Sequence, residues 1–238
     1  MDNGTIIKTR DLTKVYPLGR TSIRALNKVN LSFEQGEFAA LVGPSGSGKT
    51  TLLNIVGSLD APTEGSAEVM GRRVETLSHR EAAALRSRHI GFIFQSFNLL
   101  PVYTAYENVE FPLLLMKMSA AERRKAVLDA LEWVGLADRA KSRPGQLSGG
   151  QSQRVAIARA VVKRPGLVLA DEPTANLDAE NSHMILDTME SLNRNLRTTF
   201  LFATHDEKVI RHVRRKITLI DGAVAADDRT KPDGGGAS

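Results

Sequence analysis

The chain has 238 residues, with 32 lysines and arginines against 27 acidic residues and a net charge of +5, enough for one large domain or one domain with an inserted lobe. It contains no cysteine, which excludes disulfide staples and thiolate metal sites, and no apolar run approaches the roughly 20 residues that cross a bilayer. The opening MDNGTIIKTR lacks the basic-then-apolar order of a secretory signal, so a soluble, cytosolic chain is expected, and the modest positive balance reads as an ordinary mixed surface.

Val29, Leu31 and Phe33 alternate, and the pattern then turns continuously apolar from Phe38 to Val42. This predicts a half-exposed strand followed by a buried one. GPSGSGKT follows at once, Gly43 to Thr50, matching GxxxxGK[ST] in the setting where that pattern is most specific. A glycine-rich turn lets successive amides point into one concavity, and a helix starting near Gly48 adds unsatisfied amides and the positive end of its dipole. Phosphate fits there. Gly43, Pro44, Ser45, Gly46, Ser47 and Gly48 form the cradle, with Thr51 beside it; Lys49 reaches the β and γ phosphates, and the Thr50 hydroxyl ligates Mg2+. Leu52, Leu53, Ile55 and Val56 pin the helix to the sheet, and Gly57 is placed to end it.

Between about residues 96 and 145 the texture becomes helical: Val127, Leu128, Leu131 and Val134 recur at helical spacing opposite a charged face. This block reads as a helical lobe inserted into a sheet domain. A second glycine-rich helix start follows in GQLSGGQSQRVAIARA, Gly145 to Ala160. Ser148 can cap that helix while Gly149 and Gly150 let backbone approach closely. Val155, Ile157, Ala158, Val161 and Val162 bury one side, and Lys163 and Arg164 suit the negative end of the dipole. In LVLADEP an apolar strand ends in Asp171 and Glu172, at the carboxyl edge where open parallel sheets place ligands. Asp171 is the metal-side carboxylate and Glu172 the candidate general base. Buried strands at 199–203 and 217–220 alternate with helical patterns, so a parallel sheet wrapped by helices is expected. Residues 1–226 form one nucleotide-binding domain on this reading, and 227–238 a disordered tail.

Taken together and in this order, GPSGSGKT, LSGGQ, LVLADEP, NLD and ATHD resemble the nucleotide-binding domain of ABC transporters. The resemblance implies an α/β P-loop NTPase fold: a mostly parallel core sheet, an antiparallel β part near the N-terminus and an inserted α-helical lobe. It implies ATP hydrolysis with ATP and Mg2+ bound. By the same resemblance Gln95 contacts Mg2+ and the attacking water, Tyr16 stacks on adenine, Asp178 crosses between subunits, and His205 contacts the γ phosphate. His79, His89, His183 and His212 keep an ordinary surface role. In this family two copies pack head to tail, and Ser148, Gly149, Gly150 and Gln151 of one copy cap the γ phosphate held by the other. One motif set per chain therefore implies a homodimer around two ATP molecules. Ser152 and Ala175 stand where close relatives commonly carry Gln and Gly, a departure that bears on coupling or dimer fit.

Finer texture around Gln95 and RPGQLSGG resembles the branch of lipoprotein-releasing, macrolide-exporting and cell-division ATPases. That branch implies a bacterial complex with a separate integral membrane permease of few spans (FtsX- or MacB-like), holding this subunit at the cytoplasmic face of the inner membrane. Its work is export, lipoprotein extraction or force transmission. Phe97, Leu99 and Leu100 are candidate anchors of a groove that docks a partner helix. The alternative is a soluble ABC-type ATPase acting on nucleic acid or ribosomes. The long inserted coiled coil and doubled motif set of such relatives do not occur in the sequence, so no direct nucleic-acid partner is expected.

Overall fold

The computed structural model describes residues 4–19 and 21–229. Two long strands, β1 (Thr5–Leu18) and β2 (Thr21–Glu34), form an antiparallel arm. With β4 (Glu64–Val69) and β5 (Arg72–Arg73) they make a four-stranded antiparallel sheet ordered β2-β1-β4-β5. In β2, Val29, Leu31 and Phe33 are buried while their neighbours face out, as period-2 alternation requires. The second sheet runs β10-β9-β3-β8-β7-β6. It comprises β3 (Phe38–Val42), β6 (Ile90–Phe94), β7 (Leu167–Asp171), β8 (Thr199–Thr204), β9 (Arg215–Ile220) and β10 (Ala223–Arg229). All neighbours are parallel except β10, which folds back on β9 through Asp221 and Gly222, both at positive φ. That is the backbone a two-residue hairpin turn needs.

Seven α-helices complete the described residues: α1 (Lys49–Val56), α2 (His79–His89), α3 (Ala105–Glu110), α4 (Ala120–Trp133), α5 (Gly149–Val161), α6 (Ala179–Leu196) and α7 (Glu207–His212). Four of them start with a reciprocal cap, a Ser or Thr paired with a Glu or Gln three residues on: Ser78 with Glu81, Thr104 with Glu107, Ser119 with Glu122 and Ser148 with Gln151. Each satisfies two amides that the helix itself leaves orphaned.

The core sheet is buried on both faces, which explains why its strands read as continuous apolar runs. Phe38, Ala40, Phe200 and Phe202 join Val127, Leu131, Val155 and Met189 from the helices on one side. Ala39, Leu41, Leu169 and Leu201 join Leu52, Ile55, Val29 and Phe33 from α1 and the arm on the other. No helix among the described residues is long and apolar enough to cross a membrane.

Three expectations need correction, and a fourth, on Gly57, holds for a different reason. Leu128 is not on the buried face but 38 % exposed, whereas Val127 and Leu131 are wholly covered. Gly57 does follow α1, yet with a right-handed backbone; the left-handed residue is Ser58. The reason for a glycine is space, since a Cβ would lie 2.8 Å from Phe92 and 3.0 Å from Leu169. Lys163 does not serve the end of its own helix: its amine donates to the Arg86 carbonyl at the end of α2, 2.6 Å away, and burial pushes its pKa down to about 8. Arg164 turns away at φ 49 and covers the Trp133 ring. Finally, Asp227, Asp228 and Arg229 belong to β10 rather than to a tail, because Asp227 accepts two bonds from the buried Arg215 guanidinium at 2.8 and 2.7 Å. Residues 230–238 lie outside the described residues.

Candidate nucleotide-binding and catalytic site

The registers of the core sheet gather the chemistry on one edge. Val42 pairs with Thr204, Ala203 with Asp171, and Asp171 with Phe94. The residues that follow, Gly43, His205, Glu172 and Gln95, therefore leave the sheet side by side at its carboxyl edge.

Gly43, Gly46 and Gly48 of the phosphate loop all have positive φ, at 148, 79 and 99°. A side chain on Gly48 would run into the Ala25 carbonyl of the arm, so this turn needs glycine for both backbone and space. Pro44 and Ser45 are exposed and Ser47 buried. The start of α1 carries no side-chain cap and no acid in its first turn, leaving its amides and dipole available to an anion. Lys49 is 9 % exposed, and its amine arches over the loop to the Gly43 and Pro44 carbonyls at 2.8 and 2.9 Å. A cation is thus suspended above a concavity of amides.

Thr50, next in α1, sends its hydroxyl to the Asp171 carboxylate, 3.1 and 3.4 Å from the two oxygens. Burial, and to a lesser degree the adjacent Glu172 charge, raises the Asp171 pKa despite the Thr50 bond. A carboxylate in that state gains from a nearby cation, and a hydroxyl beside a carboxylate suits the hard-oxygen preference of magnesium. Among the described residues no group of three or more His, Asp or Glu side chains is arranged to hold a metal. Gln95 sits just past β6, exposed, with its carbonyl accepting from Asn176 Nδ2 at 2.9 Å.

Glu172 departs from β7 with φ 46. Its N–H donates to Ala203 O at 2.9 Å, Thr204 Oγ1 donates to its Oε2 at 2.8 Å, and His205 Nδ1 lies 2.6 Å from its Oε1. The His205 side chain is 75 % exposed and that of Glu172 16 %, so the pair looks out from the sheet edge into solvent. The other four histidines stay away from this edge; His212, for one, bonds the Lys208 carbonyl within α7.

Tyr16, near the tip of β1, is half-buried and hydrogen-bonds Asp60 at 2.8 Å. Lys14 reaches the same carboxylate at 2.6 Å. Burial, followed by Asp60, raises the Tyr16 pKa, with the Thr51 side chain acting on it from α1. The ring is thereby fixed beside the phosphate-loop helix.

The second glycine-rich start forms a separate group. Ser148 and Gln151 cap α5 reciprocally at 3.2 and 2.9 Å; Ser148 and Gly149 are exposed, and Gly150 packs so closely on Asn181 that a Cβ there would overlap its side chain. Asn181 in turn donates its amide to Asp178 at 2.8 Å, which lowers that carboxyl's pKa through the backbone bond first and the Asn181 side chain second. Asp178 also caps α6. Among the described residues no hydrogen bond or ion pair joins the Ser148 to Gln151 turn to the Gly43 to Thr51 loop. Ser152 is buried in α5, and Ala175 is exposed in the turn between β7 and α6.

Several supporting residues went unread in the sequence. Thr204 holds Glu172, Asp206 accepts from Thr174 at 2.6 Å, and Asn176 ties down Gln95. Thr204 and Asp206 lie inside ATHD and Asn176 opens NLD, so the motifs carried the signal although these residues were not singled out. The groove anchored by Phe97, Leu99 and Leu100 is not formed as expected. A cavity of about 490 Å³ is walled by Phe92, Phe94, Phe111, Leu115, Arg159 and Lys163, without Phe97, Leu99 or Leu100. Phe97 and Asn98 take left-handed backbones, Arg159 clamps their carbonyls at 2.7 and 2.5 Å, and Leu99 folds back against the core.

A family model described as ABC transporter matches residues 26–175. The lipoprotein-releasing system ATP-binding protein LolD of Pseudoalteromonas translucida is 47% identical over 220 residues, covering 92% of this chain and 95% of that one. The macrolide export ATP-binding/permease protein MacB of Hyphomonas neptunium is 45% identical over 226 residues, which span 95% of this chain but 35% of the relative. Among solved structures, the ATP-binding cassette MJ0796, described as a dimeric post-hydrolysis state bound to ADP and Pi, aligns with a TM-score of 0.87 at 43% identity, covering 95% of this chain and all of that one. The protein MJ0796 belongs to Methanocaldococcus jannaschii and is 45% identical over 230 residues.

Proposed function

Because this chain belongs to the ABC transporter family, as an ATP-binding subunit that hydrolyses ATP, we propose that two copies close head to tail around two Mg-ATP and so drive a separate membrane subunit. One observation carries the reading. The groups suited to hold and attack a triphosphate, Lys49, Thr50, Asp171, Glu172 and His205, share one sheet edge, while the exposed Ser148 and Gly149, the half-buried Gln151 and Asp178 form a second face of the same chain. A twin would supply the second face to the first.

The residues then act as follows. The phosphate loop takes the β and γ phosphates on its amides, and the Lys49 amine turns from the Gly43 and Pro44 carbonyls onto them. Tyr16 backs the adenine. Thr50, Asp171 and Gln95 would hold magnesium, which when bound neutralises charge on the phosphates. Glu172, with Oε2 held by Thr204, accepts a proton from water through Oε1 as the water oxygen bonds to the γ phosphorus. The bond from that phosphorus to the bridging oxygen breaks, giving ADP and inorganic phosphate, and His205 steadies the γ phosphate. Ser148 of the twin, whose oxygen already accepts from Gln151, keeps its O–H free to donate to the same phosphate.

The cavity beside Phe94 and Phe111 supports docking of a helix from an integral membrane subunit of few spans, and on this reading the chain works at the cytoplasmic face of the membrane. LolD and MacB among the relatives favour export or lipoprotein release as the work done. Glu172→Gln tests the core of the proposal. ATP binding should persist, hydrolysis should fall by about 10²- to 10⁴-fold, and light scattering should show an ATP-dependent dimer. Near-normal turnover would remove Glu172 from its role, and a monomer at saturating ATP would refute the shared site.

A further inference from the structure

Three residues on one face at the start of α5 meet the segment that follows Glu172. A Cβ on Gly149 would lie 3.8 Å from Leu177 and 3.9 Å from the Asn176 carbonyl, and Gly150 admits Asn181. One turn further on, Gln153 reaches Pro173, its Nε2 donating to the carbonyl at 2.6 Å. Gln153 is 0 % exposed, and its other amide atom, Oε1, is buried without a partner. An unsatisfied buried acceptor is destabilising. An apolar side chain would avoid that cost, so the donation to Pro173 is the contact that justifies a glutamine here.

Pro173 directly follows Glu172, whose φ of 46° needs support from its surroundings; the carbonyl that Gln153 holds lies in the next peptide, between Pro173 and Thr174, and the proline ring fixes the φ between the two. On the far side the turn is already held: Thr174 donates to Asp206, the Asp206 N–H donates to Thr204 Oγ1 at 2.9 Å, and Thr204 donates to Glu172. On the near side the hydrogen bond from Gln153 is the tie to α5. We propose that Gln153 is a positioning residue for ATP hydrolysis: its buried amide fixes the Pro173 carbonyl and, through it, the backbone that aims the Glu172 carboxylate. The inference rests on Glu172 as proton acceptor. Because the same helix begins with Ser148, a displacement of α5 is passed to Glu172 through this bond.

Three variants test it. Gln153→Met keeps the length and removes the donor; Gln153→Leu is a second donor-free side chain should the first not fold; Gln153→His presents a ring N–H at similar reach. In the full-length protein the donor-free variant should lose about tenfold or more in kcat, equivalent to about 1.4 kcal/mol in the barrier, with KM for ATP and the melting temperature close to the parent. Gln153→His should recover most of that loss. Unchanged kcat without the donor overturns the proposal, as do equal losses in all variants or a kcat fall matched by a rise in KM. Glu172→Gln assayed in parallel separates the two ideas: if it turns over normally the premise fails, and if it is inactive while Gln153→Met is normal only the role of Gln153 fails.

Discussion

Glu172 holds a left-handed backbone that costs a non-glycine residue about 1–3 kcal/mol. The compensation is local: a backbone bond to Ala203, a hydroxyl from Thr204 and the ring of His205. Strain kept at the carboxylate proposed to activate water is what a pre-organised site requires. Lys49 is organised in the same spirit, with its amine already above the loop. Lys49→Ala should weaken ATP binding by about 10- to 100-fold, since a hydrogen bond between charged groups is worth about 1.5–3 kcal/mol; a titration giving parental affinity would contradict the assignment. The sequence made these residues legible because GKT and ADEP are contiguous and follow buried strands. It was silent on Gln153, and it marked Asn176 only as the first residue of NLD, because the importance of both comes from long-range contacts with the Pro173 and Gln95 carbonyls.

At the scale of elements, the reciprocal caps offer a controlled comparison. Ser119 and Ser148 make the same cap, on α4 and α5, and either serine changed to alanine should cost about 1 kcal/mol of stability. Denaturant unfolding should show that matched loss. If Ser148 also donates to a twin's phosphate, only Ser148→Ala should impair ATP-driven dimerisation, whereas Ser119→Ala should leave it intact. Helix starts and the buried strands were readable because caps and apolar runs are local. The arm was less so: β1 shifts register between Thr9 and Leu12 and again to Lys14, and Asp11 stands at φ 44, so its alternation is broken by bulges. β6 was missed because Gly91 interrupts its short apolar run, whereas β3 and β7, of the same length, contain no glycine. The groove was foreseen near Gln95, but the reversed backbone at Phe97 and Asn98 gave its walls to Phe94, Phe111 and Leu115 instead.

Over the whole molecule, the two sheets are joined by buried Arg215, which serves Ser32 of the arm at 2.7 Å, Glu37 at 2.8 Å and Asp227 of β10. Its guanidinium bonds hold the Asp227 carboxyl below its ordinary pKa. That contribution is complete above the usual carboxylate value near about 4 and drains away as pH falls through the depressed one. Arg215→Met should therefore lose about 3 kcal/mol at pH 7, near the low end for breaking a buried pair because Asp227 is 35% exposed, and the deficit should shrink in acid when unfolding is followed by circular dichroism. A second junction is smaller. The Ala25 carbonyl of β2 abuts Gly48 of the phosphate loop on one side and Gly222 of the β9–β10 turn on the other, while Gly222 bonds both Ser47 O and the Asn27 N–H, at 3.2 and 2.8 Å. A triphosphate seated in the loop would press, through these contacts, on a strand of the other sheet. A fluorophore attached at Ile23, 52% exposed two residues upstream on that strand, would serve as an occupancy gauge, brightening or dimming as the pocket fills although it touches none of the phosphates.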